Sequence, residues 1–477
     1  MATKKPPAPT AEAVALARIQ LAHEAPIRSG DYVLYWLRAY RRAEDNLALD
    51  HAVRRANALG LPLVVYESLD VGYPHASARV HAFVLESAVG RRAAIEARGG
   101  RYAFFLPRTR AEARGAKPLA ALARRAALVV SDWMAPSGGM TAFWRDVPQR
   151  LGEREGVRVE LVDDAVGVPM ALLSDKHEVA ARTIRPKVQR LLDASLLASD
   201  EPSVRAPALR EWAWPFEPTE PALDAIDALV RACEVDPAVP RVTSNPGTRA
   251  NGLARLRRFL SARMARYDTA RNDMGGVGSS ELSAHLHFGV LSAREVARAA
   301  RGSAGPEAGR EAFVEELMVR RALAFNHAVT LPETHARWEG AVPAWAQATL
   351  EAHASDPRRA HTFAQWESAL THDPLWNAAQ RELRRDGVIH PYARMLWGKV
   401  AHTLAPSPRD AFAWLVTLND KWALDGRDPN TYANIGWCFG LHDHPYPGRP
   451  VFGTVRSMTS RAAESKWDTD AYLARTR

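Results

Sequence analysis

The chain is poor in cysteine, with only Cys233 and Cys438 among 477 residues. Two thiols cannot knit a disulfide framework, so a reducing compartment, the cytoplasm, is the expected setting. No apolar run approaches the ~18–20 residues of a membrane-spanning helix; residues 61–66 make only a strand-length run. The amino-terminal segment lacks the apolar stretch of a secretory signal and reads, with its prolines, as a flexible tail over residues 1–28. Metal and hydrolase signatures are missing too. There is no H-E-x-x-H, no cysteine pair at zinc spacing and no G-x-S-x-G elbow. His285-x-His287 and His442-Asp443-His444 therefore read as structural histidines, and no metal is expected.

What is present is ordinary for a soluble globular chain, with 47% hydrophobic and 25% charged residues. Lys plus Arg is 63 against 54 Asp plus Glu, a formal charge of +9. That balance permits nucleic-acid binding without establishing it. Strand-like and helix-like segments alternate from residue 32 to about 162, with strands at 32–35, 61–66, 102–106, 127–131 and 157–162. Helical periods fill 45–59, 82–97, 119–126 and 139–151 between them. Such alternation predicts a Rossmann-like α/β domain, a parallel sheet covered on both faces, over residues 29–198. Closely spaced prolines then mark 199–245 as an inter-domain linker. Strand patterns nearly vanish beyond Gly252, and residues 246–477 are expected to form an all-α domain.

Gly275-Gly276-Val277-Gly278 precedes Ser279-Ser280. It is either a flexible turn or a phosphate cradle, and it matches neither the dinucleotide nor the P-loop pattern. Between Trp366 and Met458 aromatic residues are dense, and the segments 390–397 and 418–430 crowd arginine, aspartate and asparagine between apolar flanks. Packing alone accounts poorly for that density.

These segments resemble the class II photolyases of the photolyase/cryptochrome family. The resemblance rests on Trp376-Asn377-Ala378-Ala379-Gln380, Arg394-Met395-x-Trp397, Leu418-Asn419-Asp420 and Asp425-Gly426-Arg427-Asp428-Pro429-Asn430. Trp437, His442-Asp443 and Arg449-Pro450-Val451-Phe452-Gly453 extend it. So do Val33-Leu34-Tyr35-Trp36, the run from Ser174 to Lys187, Leu282-Ser283-x-x-Leu286-His287-Phe288-Gly289 and Glu315-Glu316-Leu317. The motifs follow the family's order from about residue 17 to 475.

The resemblance implies a light-driven deoxyribodipyrimidine photo-lyase, using reduced FAD to split cyclobutane pyrimidine dimers in UV-damaged DNA. A cryptochrome-like FAD photoreceptor without repair is the alternative. It further implies a monomer, an α-domain that binds FAD, and the possibility of an antenna chromophore. FAD would be held by Tyr267, Arg271, Ser280, Leu282, Ser283, Arg394, Asn419, Asp425 and Asp428. Glu316, Asn419 and Trp437 would be catalytic, Glu316 as a protonated donor in apolar surroundings and Trp437 stacking on the flipped-out lesion. An i,i+4 salt bridge from Glu316 to Arg320 is the competing reading of that carboxyl. Arg321, Arg427, Arg449 and Arg456 would contact DNA phosphates. Trp397 and then Trp376 would relay electrons. Several positions depart from the family pattern: Ala284-His285 for Pro-Tyr, Ile389-His390-Pro391-Tyr392-Ala393 for Met-His-Gly-Phe-Met, Leu396, Val400, Tyr446 and, where a third relay Trp is usual, Leu404. The electron path is therefore expected to be shortened, or rerouted through Trp414 or Trp422.

Overall fold

The computed structural model describes residues 8–115, 117–207, 209 and 212–477. Six strands form one sheet: β1 (Ile19–His23), β2 (Tyr32–Leu37), β3 (Leu63–Ser68), β4 (Gly100–Phe105), β5 (Ala126–Asp132) and β6 (Val159–Val162). Their order is β1-β6-β5-β2-β3-β4, and every pairing except β1 with β6 is parallel. β2 and β5 are buried along their whole length because helices cover both faces. The order reverses at β2, whose neighbours β3 and β5 lie on opposite sides.

The amino-terminal expectation needs correction. Within the supposed tail, α1 (Ala11–Ala17) is capped by Thr10, and β1 pairs antiparallel along the sheet edge. Arg18 is buried and donates to the carbonyls of Asp163 and Gly167. An edge strand carrying Gln20 and His23 shows no apolar run, which hides it from the pattern of a buried strand. Residues 1–7 of that segment lie outside the described residues.

Helix α2 (Leu47–Leu59) opens where the Asn46 side chain accepts from two backbone N–H groups and closes at Gly60, φ 65°. The single helix expected over 82–97 is two, α3 (Ala78–Ala88) and α4 (Arg91–Glu96), because Gly90 takes φ 78° between them. Helices α5 (Pro118–Arg125), α6 (Thr141–Glu155) and α7 (Ala181–Ser195) are further main helices of the α/β half. The proline-rich stretch lies along β4. Val204 and Thr219 donate to the carbonyls of Arg98 and Phe104, covering an edge that would otherwise be open.

The carboxy-terminal half is helical. Its main elements are α8 (Arg249–Ala262), α9 (Ser283–His287), α10 (Ala293–Arg301), α11 (Glu307–Val314) and α12 (Arg321–Thr330). Then come α13 (Phe363–Glu367), α14 (Pro374–Asp386), α15 (Pro391–Leu404), α16 (Pro408–Trp422) and α17 (Pro429–Cys438). Between α11 and α12 the chain winds as a π-helix over Glu315–Arg320. Trp366, Trp376 and Trp397 are among its largest fully buried side chains.

Candidate functional site

A cavity of about 310 Å³ opens among α9, the π-helix, α12, α15 and α17. Tyr267, Ser280, Ser283, Arg394, Asp425 and Asp428 line it together with Glu316, Arg321 and Trp437. Residues spread over 170 positions of sequence thus meet at one site. The wider turn of the π-helix brings Glu316, Leu317, Arg320 and Arg321 onto one wall. Arg394, also lining the cavity, makes a two-pronged ion pair with Asp425, at 2.9 and 3.3 Å. Its Nε is buried without a partner, a donor left over for a ligand. Asp428 caps α17 and stands 3.0 Å from His287 Nδ1. Burial works against its charge, but Arg321 and the His287 hydrogen bond hold its carboxyl well below the usual range. Serine hydroxyls, this ion pair, and the apolar Leu286, Phe313 and Leu323 form a mixed wall suited to a large cofactor with polar and aromatic parts.

Other expected site residues stand elsewhere. Leu282 is fully buried beneath the wall, where its carbonyl accepts from Leu286 N–H. Asn419 is also behind the wall, its Nδ2 donating to Thr431 Oγ1 at 3.2 Å, and Thr431 is the side chain that reaches the cavity. Glu316 does not have apolar surroundings: its side chain is 40% exposed and accepts from Arg271 at 3.0 Å. The pair with Arg320 does not form either, because Arg320 meets Glu315 at 3.7 Å. The glycine run is not an open cradle, since the Gly275 and Gly276 N–H groups already donate to the Asp273 carboxylate and carbonyl.

Arg427 requires the largest correction. It is buried, takes φ 62°, receives an Asp420 carboxylate oxygen at its backbone N–H, and donates its guanidinium to the Asp420 carbonyl. A cation so enclosed is not available to a DNA phosphate. Arg449 and Arg456 are exposed, in the loop after α17, and Arg456 lies 5.6 Å from the Tyr446 ring.

Tryptophans form a connected array beside the cavity. Trp397, one turn along α15 from Arg394, stacks with Trp376 at 6.1 Å between centroids and 16° between planes. Trp376 lies 4.9 Å from Trp366, and Trp366 lies 5.1 Å from the half-buried Trp414. Trp366 Nε1 donates to the carbonyl of Leu404, so the array turns aside where the alkyl side chain stands. Trp422 instead donates to Glu367 and lies between Arg79 and Arg384. Trp366 was missed by sequence reasoning, although the capping box from Thr362 to Gln365 marks the start of its helix.

A second cavity, about 580 Å³, opens at the carboxyl ends of β2 and β3, where the sheet order reverses. Trp36, Phe143 and Trp144 line it with Arg38, Arg41 and Arg427, and His287 borders both cavities. Among the described residues no cluster of His, Cys, Asp or Glu could hold a metal ion, and no helix is long and apolar enough to cross a membrane.

A family model described as DNA photolyase matches residues 33–208. The chain is 33% identical over 458 residues to the deoxyribodipyrimidine photo-lyase of Methanothermobacter thermautotrophicus, covering 95% of this chain and 96% of that protein. To the rice protein of the same name it is 35% identical, covering 96% and 90%. Among solved structures it is similar to the archaeal photolyase of Sulfolobus tokodaii crystallised with two FAD molecules. There the TM-score is 0.66 at 17% identity, covering 92% of this chain and 88% of that one. Near-full-length identity to these relatives, with the same α/β-then-helical architecture, means that the chain belongs to the photolyase/cryptochrome family.

Proposed function

We propose that the protein is a light-driven deoxyribodipyrimidine photo-lyase that binds FAD and splits cyclobutane pyrimidine dimers in DNA. The observation that carries the reading is one cavity lined at once by the Arg394–Asp425 pair and by Glu316 and Trp437. It brings the residues suited to a cofactor and those suited to a lesion together. When bound, reduced FAD supplies light absorption and one electron that the dimer takes up and returns. Ser280 and Ser283 offer hydroxyls to its phosphates, while Tyr267 adds an aromatic wall. Arg394 presents a positive charge, steadied by Asp425, that favours an anionic reduced flavin. Asn419 orients Thr431. Arg271 holds the Glu316 carboxylate at the rim, and breaking that pair would free Glu316 to approach a pyrimidine carbonyl.

Trp437 offers its ring to an extruded dimer, whose weakened pairing lowers the cost of extrusion. Trp397 and Trp376 act as relay residues for photoreduction, and the array continues through Trp366 to the half-buried Trp414. Within the family we assign the chain to class II, on the motifs around Trp376, Arg394 and Asp425 and on the Ser174–Lys187 run. Lys187 and Ser174 there bond Glu178 and, despite its burial, hold the carboxyl down to about 2. An antenna pigment would take the second cavity, with its aromatic and arginine walls.

The test is anaerobic illumination of the reduced holoprotein with dimer-bearing oligothymidine. Recovery of thymine absorbance is expected. No loss of dimer while the bound flavin photoreduces normally would favour the photoreceptor reading.

A further inference from the structure

Lys399 is 1% exposed on α15, yet among the described residues no carboxylate pairs with it. Burying an ammonium without a counter-ion is costly, so its surroundings need explaining. Its one hydrogen bond is long, 3.4 Å to the carbonyl of Trp437. The ammonium lies 4.9 Å from the centre of the Trp437 ring. Helices α15 and α17 come close enough for this because Gly398 faces Cys438, where a Cβ would fall 2.5 Å from the thiol sulfur. We infer that Lys399 is a positioning residue for lesion binding: its charge, set against the Trp437 ring and carbonyl, fixes the indole that faces the cavity. The inference rests on the reading of Trp437 as the residue that stacks on the dimer.

The arrangement makes that grip titratable. Burial lowers the ammonium's pKa to about 8; Cys438 and Asp443 act in the opposite sense, and Arg456 adds to the lowering. Two titratable groups facing it stay fixed through that region: burial pushes the Cys438 thiol up to about 11 and the His402 imidazole down to about 3, so neither changes charge near pH 8. Asp443 and Arg456 are the other charged groups that act on it.

The experiment measures binding of a dimer-bearing oligothymidine and its undamaged twin to the FAD-loaded protein in the dark, from about pH 7 to about pH 9.5. The ratio of the two affinities removes non-specific phosphate binding. Unmodified protein is expected to lose preference for the dimer as pH rises through the Lys399 transition. Lys399→Met is expected to lower the preference by roughly tenfold at neutral pH, the scale of a desolvated cation–π contact, and to flatten the profile. Lys399→Arg, which stays charged, should keep the preference at the alkaline end, an outcome that mere filling of space cannot give. In the Trp437→Ala background, Lys399→Met should have little further effect. A flat profile in the unmodified protein, or an unchanged preference in Lys399→Met, overturns the inference. If Trp437→Ala itself leaves the preference intact, the stacking role of Trp437 falls, and the inference with it.

Discussion

His285 stands where the family pattern has tyrosine, and it gives α9 an acid-sensitive anchor. The ring is fully buried, its Nε2 lies 3.2 Å from the carbonyl of Pro246, and its edge meets Phe83 at 5.2 Å. Burial, aided by the positive charge of Arg255, lowers its pKa to about 4, while hydrogen bonds to backbone carbonyls oppose the shift. The unfolded chain has an ordinary imidazole near 6.5. Between those two values the unfolded state binds the extra proton, so stability falls as pH falls. Linkage gives about 2 kcal/mol lost by pH 5, and about 3 kcal/mol by pH 4, from this group alone. Urea unfolding at neutral pH and near pH 5 measures the loss, and His285→Gln, which cannot protonate, should remove about 2 kcal/mol of the difference. An equal pH dependence in the two proteins would refute the argument.

Three further outcomes are expected. Trp397→Phe should nearly abolish photoreduction of bound flavin by external thiol under blue light, and Trp366→Phe should slow it strongly, since phenylalanine is much harder to oxidise than indole. Unchanged photoreduction in Trp366→Phe would leave the continuation to Trp414 without support. Asp425→Asn removes the counter-ion of Arg394 and should cost about 1.5–3 kcal/mol, the worth of hydrogen bonds to a charged group; the temperature at which flavin fluorescence is released on heating should fall accordingly. Arg456→Gln should reduce the logarithmic salt slope of DNA binding by roughly 0.7–0.9, one phosphate contact. Arg427→Gln should leave that slope alone and lower the melting temperature instead, because its side chain is enclosed.

Much of this was legible in the residues. The buried parallel strands announce themselves as apolar runs, and the Asn46 and Gly60 caps bound α2 closely. Arg394, Asp425, Glu316 and Trp437 do meet, although no local pattern brings them together. The failures share a cause. Arg427 sits in a charged run that looks solvated, yet a left-handed backbone turns it onto Asp420. Glu316 is expected in apolar surroundings, with helical spacing offering Arg320 as the competing partner, but the π-helix shifts that spacing and Arg271, from another element, takes the partly exposed carboxylate. β1 is a short edge strand with no continuous apolar run to reveal it. Contacts set by tertiary approach leave little trace in a local window.

The antiparallel edge has a consequence for synthesis. β1 is the first strand to leave the ribosome, but its partner β6 is the last of the sheet, and β5 must precede it beside β2. At roughly 5–20 residues per second the intervening chain takes about seven to thirty seconds to emerge. Through that interval β1 has no strand to pair with, and Arg18 cannot reach the carbonyls of Asp163 and Gly167. The nascent sheet grows from β2 outwards and is closed last by the segment made first.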